Sequence, residues 1–151
     1  MRRRRGFSLM ELLITMAFIG LLARIAVPRY GELKRRAIAA SILGDVHAIR
    51  IAAFTHYTEH GAFPPDAGLA QLPPQLIDNL PTGFSFDRVD YDYDWEVWTS
   101  TNASGNPETL VGITVLVTDS RLAAQLVKTA GPGYIPIVTA TQVTFLVSSA
   151  S

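Results

Sequence analysis

The chain has 151 residues, 13 basic and 13 acidic, and no cysteine. That length fits about one domain and excludes a large multidomain enzyme, and the missing cysteines exclude a disulfide framework, a thiolate nucleophile and a cysteine-held metal or cluster. The zero net charge hides a division, because residues 1–60 carry ten Lys/Arg against four Asp/Glu and residues 61–151 carry three against nine, a balance of +6 followed by −6. Such an asymmetry suits two parts that meet different surroundings.

Arg2, Arg3, Arg4 and Arg5 open the chain and Gly6 follows; from Phe7 to Val27 the residues are apolar except Ser8, Glu11, Thr15 and Arg24. A helix of these 21 residues would be roughly 31 Å long, which matches the ~30 Å hydrocarbon core of a bilayer. An arginine cluster ahead of an apolar run stays in the cytoplasm, so everything after Pro28 is expected on the far side. Arg24 sits near the far end, where its stem can carry the guanidinium out to the interface. Glu11 lies only a few residues into the run, and an ionised acid there either snorkels back beside the arginines or is functional and paired.

The run Gly6-Phe7-Ser8-Leu9-Met10-Glu11-Leu12-Leu13-Ile14, with Ile19-Gly20-Leu21-Leu22 and Ile25-Ala26-Val27-Pro28-Arg29-Tyr30 behind it, closely resembles the N-terminus of type IV pilins and of type II secretion pseudopilins. The specific elements are a basic leader ending in glycine, an aromatic residue after it, and a glutamate fifth from the cut. The resemblance implies that a membrane prepilin peptidase cuts after Gly6 and methylates the new amine on Phe7. It also implies that Glu11 neutralises the N-terminal amine of a neighbouring subunit, which meets the demand for a counter-charge in apolar surroundings. Arg24 departs from the pattern, since family members usually carry a small apolar residue there. Arg4-Arg5-Gly6-Phe7-Ser8-Leu9 can also be read as a twin-arginine export signal, but Glu11 is misplaced in such a signal and no clean cleavage site follows.

Past Pro28, Ile38, Ile42, Val46, Ile49, Ala53 and Tyr57 fall on one helical face and predict an amphipathic helix lying on a globular domain. Gly61 and then Pro64-Pro65 mark its end. Phe7 to His60, taken as one helix, would be roughly 80 Å long. A helix break is expected at Gly20 and Pro28, because glycine is a weak helix former and proline lacks the N–H that would bond to the Arg24 carbonyl. The resemblance implies that this stretch can unwind when a subunit enters a filament.

His56-Tyr57-Thr58-Glu59-His60 formally fits the inverted zinc-protease motif H-x-x-E-H. It lacks a third ligand, because His47 falls on the other side of the helix, so no metal site and no catalytic residue is assigned. Asn102-Ala103-Ser104 is a glycosylation sequon only in a host with the machinery, and the proline in Gly131-Pro132-Gly133 argues against a phosphate loop.

Leu69, Leu72, Leu76, Ile77 and Leu80 are spaced among prolines over residues 62–83, which predicts a packed connector with one or two helical turns. From Val89 to Val97 the odd positions are apolar and the even ones, Asp90, Asp92, Asp94 and Glu96, are acidic, so a strand is predicted with its aromatic face on the helix. Phe84 and Phe86 fall in the opposite phase, which places a turn or bulge at Asp87-Arg88. The acidic ladder is a candidate head surface site. Hard oxygen ligands suit Ca²⁺, but strand residues two apart stand nearly 7 Å from each other and cannot all reach one ion without a loop. Nucleic acid is not an expected partner, because the acidic head repels phosphate. Leu110 to Val117 reads as a central strand, Asp119 to Thr129 as a helix capped by Asp119, and Tyr134–Val138 with Gln142–Val147 as a last pair of strands with Pro136 near an edge.

One long helix followed by about four strands is an α+β order, a helix packed on an antiparallel sheet, and the pilin fold implied by the resemblance is the same. Residues 1–6 are expected as leader, 7–27 as transmembrane and assembly segment, 28–60 as the amphipathic half of the helix, and 61–151 as an exported head. The function expected is that of a structural subunit of a type IV pilus or secretion pseudopilus, not an enzyme. Its expected partners are the prepilin peptidase, other pilin subunits and the bacterial inner membrane. An anchored or exported binding module that never enters a filament is the alternative.

Overall fold

A computed structural model describes residues 7–101, 104–131, 134 and 136–150. The first element is the α-helix α1 (Leu9–His60), 52 residues long. The chain divides within it into two compact units, residues 1–35 and 36–151. The described part of the first unit is α1 up to Arg35 with the two residues before it. Its helix starts at Ser8, whose Oγ accepts from Met10 N at 3.3 Å and whose carbonyl accepts from Glu11 N and Leu12 N at 3.0 and 3.2 Å. A serine in that place satisfies donors that a helix start leaves open.

The second unit holds the rest of α1, a short 3-10 helix (Pro74–Asn79), the strands β1 (Tyr91–Thr101) and β2 (Pro107–Val117), the helix α2 (Ser120–Ala130), and the strands β3 (Pro136–Val138) and β4 (Gln142–Ala150). The four strands form one antiparallel sheet in the order β1-β2-β4-β3. The α+β architecture is as expected, with the central strand and the proline-bearing edge strand where the sequence puts them. Gly61 ends α1 with φ 74°, a left-handed conformation that suits glycine, and its N–H reaches Tyr57 O at 2.8 Å.

The core lies between α1 and one face of the sheet. Ile42, Val46 and Ile49 from the helix are buried with Tyr93 and Trp95 of β1, Val111, Ile113 and Val115 of β2, and Val143 and Phe145 of β4. The strand residues alternate because side chains point to opposite faces of a pleated sheet. Ala39, Ala52 and Ala53 complete the helix face, with no exposure at all, whereas Tyr57, expected on it, is 37% exposed. α2 adds Leu122, Ala123 and Leu126 to the same core, and its start is capped by Asp119, whose Oδ1 accepts from Arg121 N at 2.9 Å.

The connector after α1 covers the free edge of β1. Pro64 O accepts from the buried Trp95 Nε1 at 2.9 Å, Ala70 N donates to Tyr93 O at 3.1 Å, and Tyr93 N donates to Phe86 O at 2.9 Å. The two bonds to Tyr93 use backbone groups that a bare edge would leave open. They also correct the expected start of the strand. Phe84 to Phe86 folds back alongside β1, Asp87 bridges Asp92, and the residues between form the tight turn. β1 therefore begins at Tyr91, and Val89, expected on its buried face, stands at the turn with 99% exposure.

Candidate functional site

The described part of the first unit buries nothing large. Every large apolar side chain from Phe7 to Val27 is exposed, and an 18-residue window of the helix reaches a mean hydropathy of 2.0 with none of it buried. Those values make α1 long and apolar enough to cross a membrane. Leaving that much apolar surface in water is costly, so lipid or other protein must cover it.

Gly6, the residue before the expected cut, lies outside the described residues, as do Arg2 to Arg5, Asn102 and Pro132. Phe7 precedes the cap and is exposed. Glu11 stands in the first turn of α1, where an acid complements the positive end of the helix dipole. Ser8-Leu9-Met10-Glu11 has the spacing of a capping box, a local signal in the sequence that the reading from the glutamate alone overlooked. Glu11 and Arg24 have no side-chain hydrogen bond or ion pair among the described residues. At Gly20 and Pro28, where a break is expected, the chain stays helical. The proline therefore removes one N–H without ending the helix in the isolated chain.

In the second unit the acidic ladder is shorter than the sequence suggests. Asp90 belongs to the turn ahead of β1, and its backbone carbonyl accepts from the Thr118 hydroxyl at 3.3 Å. Asp92, Asp94 and Glu96 share the outer sheet face, each in different company. Asp92 Oδ1 accepts from Arg88 N at 3.3 Å. Glu96 Oε2 accepts from the Thr114 hydroxyl at 3.0 Å, which in turn meets the Thr144 hydroxyl at 2.8 Å. Asp94 Oδ1 is buried with no hydrogen-bond partner among the described residues. Burial first, then the negative charges of Glu96 and Asp66, push the Asp94 carboxyl above the usual carboxylate range.

Among the described residues no group of three or more His, Cys, Asp and Glu is arranged to hold a metal ion. His56 and His60 stack on each other with ring centroids 4.2 Å apart, and His60 Nδ1 lies 3.2 Å from His56 O.

An acid that the sequence did not single out ties α1 to the sheet. Asp45 Oδ2 accepts from Tyr93 Oη at 2.9 Å and lies 3.5 Å from Arg88 Nη2. Burial and the neighbouring Asp45 charge push the Tyr93 phenol far above its ordinary range, so it stays protonated and donates. The signal available in the sequence was a single charged residue between Ile42 and Val46, on the edge of the apolar stripe.

Comparison with known proteins gives the N-terminal segment a family. Residues 1–23 match the prokaryotic N-terminal methylation motif. A fimbrial protein of Pseudomonas aeruginosa is 40% identical over 53 residues, 35% of this chain and 34% of that protein. A type IV major pilin protein of Neisseria gonorrhoeae is 32% identical over 75 residues, 48% of this chain and 46% of its own. A fimbrial protein of Dichelobacter nodosus is 30% identical over 104 residues, 68% and 61% of the two chains. The chain thus spans about a third to three fifths of the length of these relatives, and no solved structure matches it. The methylation motif, the exposed apolar helix, the four-stranded antiparallel sheet and these relatives agree: the chain carries the N-terminal motif of the type IV pilins and is similar to them.

Proposed function

We propose that this chain is a structural subunit of a type IV pilus-type filament. It is made as a membrane-inserted precursor with its arginine cluster in the cytoplasm and its head on the far side. Prepilin peptidase removes the leader after Gly6, methylates Phe7, and the mature subunit then assembles with other pilin subunits through α1. The observation that carries this reading is a methylation motif on a helix whose apolar side chains from Phe7 to Val27 are all exposed. A surface of that kind can pass from lipid to neighbouring helices at little cost, because both are apolar. The names of the relatives, fimbrial protein and major pilin, favour a pilus over a secretion pseudopilus.

Glu11 is the residue that makes assembly specific, as the counter-charge to the N-terminal amine of a neighbour. Glu11→Ala is expected to be cut after Gly6 as usual, with Phe7 as first residue on N-terminal sequencing, yet to stay in the membrane fraction. Normal recovery of that variant in sheared filaments would refute the role. Replacing Gly6 by leucine is expected to leave the precursor uncut.

A further inference from the structure

Between residues 24 and 36 the chain has five basic residues, Arg24, Arg29, Lys34, Arg35 and Arg36, against one acid, Glu32. That excess calls for an anion where α1 leaves the bilayer. With Phe7 to Val27 filling the hydrocarbon core, Arg24 stands about 4.5 Å inside its far edge and Arg35 about 12 Å beyond it, at about 1.5 Å per residue. The two are eleven residues apart, which returns them to within about 20° of the same side of the helix. Pro28 and Gly31 lie between them on that side, and neither has a long side chain. The result is a shallow strip with an arginine at each end.

Arg35 hangs back over that strip. Helix side chains lean toward the N-terminus, and a Cβ added at Gly31 would meet Arg35 Nη1 at 3.7 Å. Gly31 is about 6 Å past Val27, and a headgroup layer is about 5–7 Å deep on each face of a bilayer. Arg24 reaches the same layer from the other direction by extending its stem outward. Both guanidinium groups can thus meet at one height on one side. No hydrogen bond or ion pair engages either of them among the described residues. Two guanidinium groups with an open strip between them suit a phosphate, since each can give it two parallel N–H bonds. Arg24 is rooted inside the apolar span, where a soluble anion does not follow, so the phosphate is that of a lipid.

We infer that Arg24 and Arg35 clamp the phosphate of one anionic phospholipid on the far face of the membrane. The inference rests on the membrane insertion proposed above, and it gives Arg24 a partner that requires no second subunit. Arg29 is five residues from Arg24, about 140° round the helix, so it meets other headgroups and is not part of the clamp. The clamp fixes the depth of α1 in the bilayer and adds a hold that extraction of the subunit must break.

Native mass spectrometry of the full chain in neutral detergent, with equal amounts of phosphatidylglycerol and phosphatidylcholine, tests the clamp. Phosphatidylcholine has the same phosphate with its own ammonium beside it, so one phosphatidylglycerol is expected to be retained in preference. Arg24→Leu and Arg35→Leu are each expected to weaken that retention by about fivefold or more. Arg29→Leu removes the same charge from another side and is expected to leave it unchanged. None of the three arginines belongs to the buried core, so the variants keep the fold, which an unchanged melting temperature verifies. Equal retention of the two lipids, or equal weakening by Arg29→Leu, would overturn the clamp in favour of undirected charge. Retention of inorganic phosphate in lipid-free detergent, with the same dependence on Arg24 and Arg35, would overturn the assignment to lipid. Flotation with phosphatidylcholine vesicles tests insertion separately. A chain that does not float would sink the membrane reading, whereas one that floats without preferring phosphatidylglycerol would sink the clamp alone.

Discussion

Gly112 lies at the irregularity where β2 changes register against β4, between Val111 and Gly112, with the indole of Trp98 across it. A Cβ added there would stand 2.8 Å from Trp98 Cζ3, 2.9 Å from Cη2 and 3.2 Å from the Phe145 carbonyl oxygen. The ring could swing away, but the carbonyl belongs to a paired strand and has little freedom. Gly112→Ala is therefore expected to destabilise the fold by about 1–3 kcal/mol, the usual range for overpacking, read as a lower midpoint in urea. Asp94 poses the opposite case, because the fold disfavours its charge. A carboxyl whose folded pKa is raised contributes stability that is fully present below its unfolded pKa of about 4, and that contribution is lost as pH rises through the folded value. Ionising Asp94 sets its charge against Glu96 and Asp66 with one oxygen buried and without a hydrogen-bond partner among the described residues. Asp94→Asn is expected to raise the melting temperature at pH 7 and to have less effect at pH 4, a difference that thermal melts at the two values would reveal. An equal shift at both would remove charge from the explanation.

Among the elements, α2 is the most self-contained. Asp119 caps it, Leu122 and Leu126 face the core, and all three roles can be read from the spacing of the residues alone. Asp119→Ala is expected to cost about 1 kcal/mol, as capping residues typically do, with the sheet otherwise unchanged; chemical denaturation measures it. The buried face of α1 was half legible. Ile42, Val46 and Ile49 declare themselves by period and bulk, whereas Ala39 and Ala52 are buried in the same core, a tertiary fact that alanine does not advertise. β1 shows the other limit. Its alternation was plain from Tyr91 onward, but the pattern runs two residues past the strand into the turn, so Val89 and Asp90 carry the right period in the wrong place. The bonds from Ala70 and Phe86 to Tyr93 that fix where the strand begins come from a connector with no strand pattern of its own. At the N-terminus, Phe7 and Glu11 were legible from a local motif, and the cap at Ser8 was equally local but less conspicuous beside the charged residue.

At the scale of the whole molecule the division lies inside α1. Among the described residues, all of the buried core belongs to the second unit, residues 36–151, and the first unit contributes none of it. The second unit also carries five Lys/Arg against eleven Asp/Glu, a net charge that favours solubility. A chain beginning at Arg36 is therefore expected to remain in solution without detergent and to unfold in one cooperative step, whereas the chain beginning at Phe7 is expected to need detergent or lipid. Ultracentrifugation and a thermal melt of the shorter chain check this, and aggregation of that chain would mean that the first unit supports the core after all. The strand β1 also gives the molecule an optical property. Its two tryptophans are three residues apart on opposite faces of the sheet: Trp95 is fully buried with its indole N–H bonded to Pro64 O, while Trp98 is half-buried over Gly112 on the outer face. Emission from Trp95 should be blue-shifted and closed to aqueous quenchers, and that from Trp98 redder and open to them. Melting of the interior and the arrival of another molecule on the outer face would then appear as separate colour changes in the same unlabelled protein.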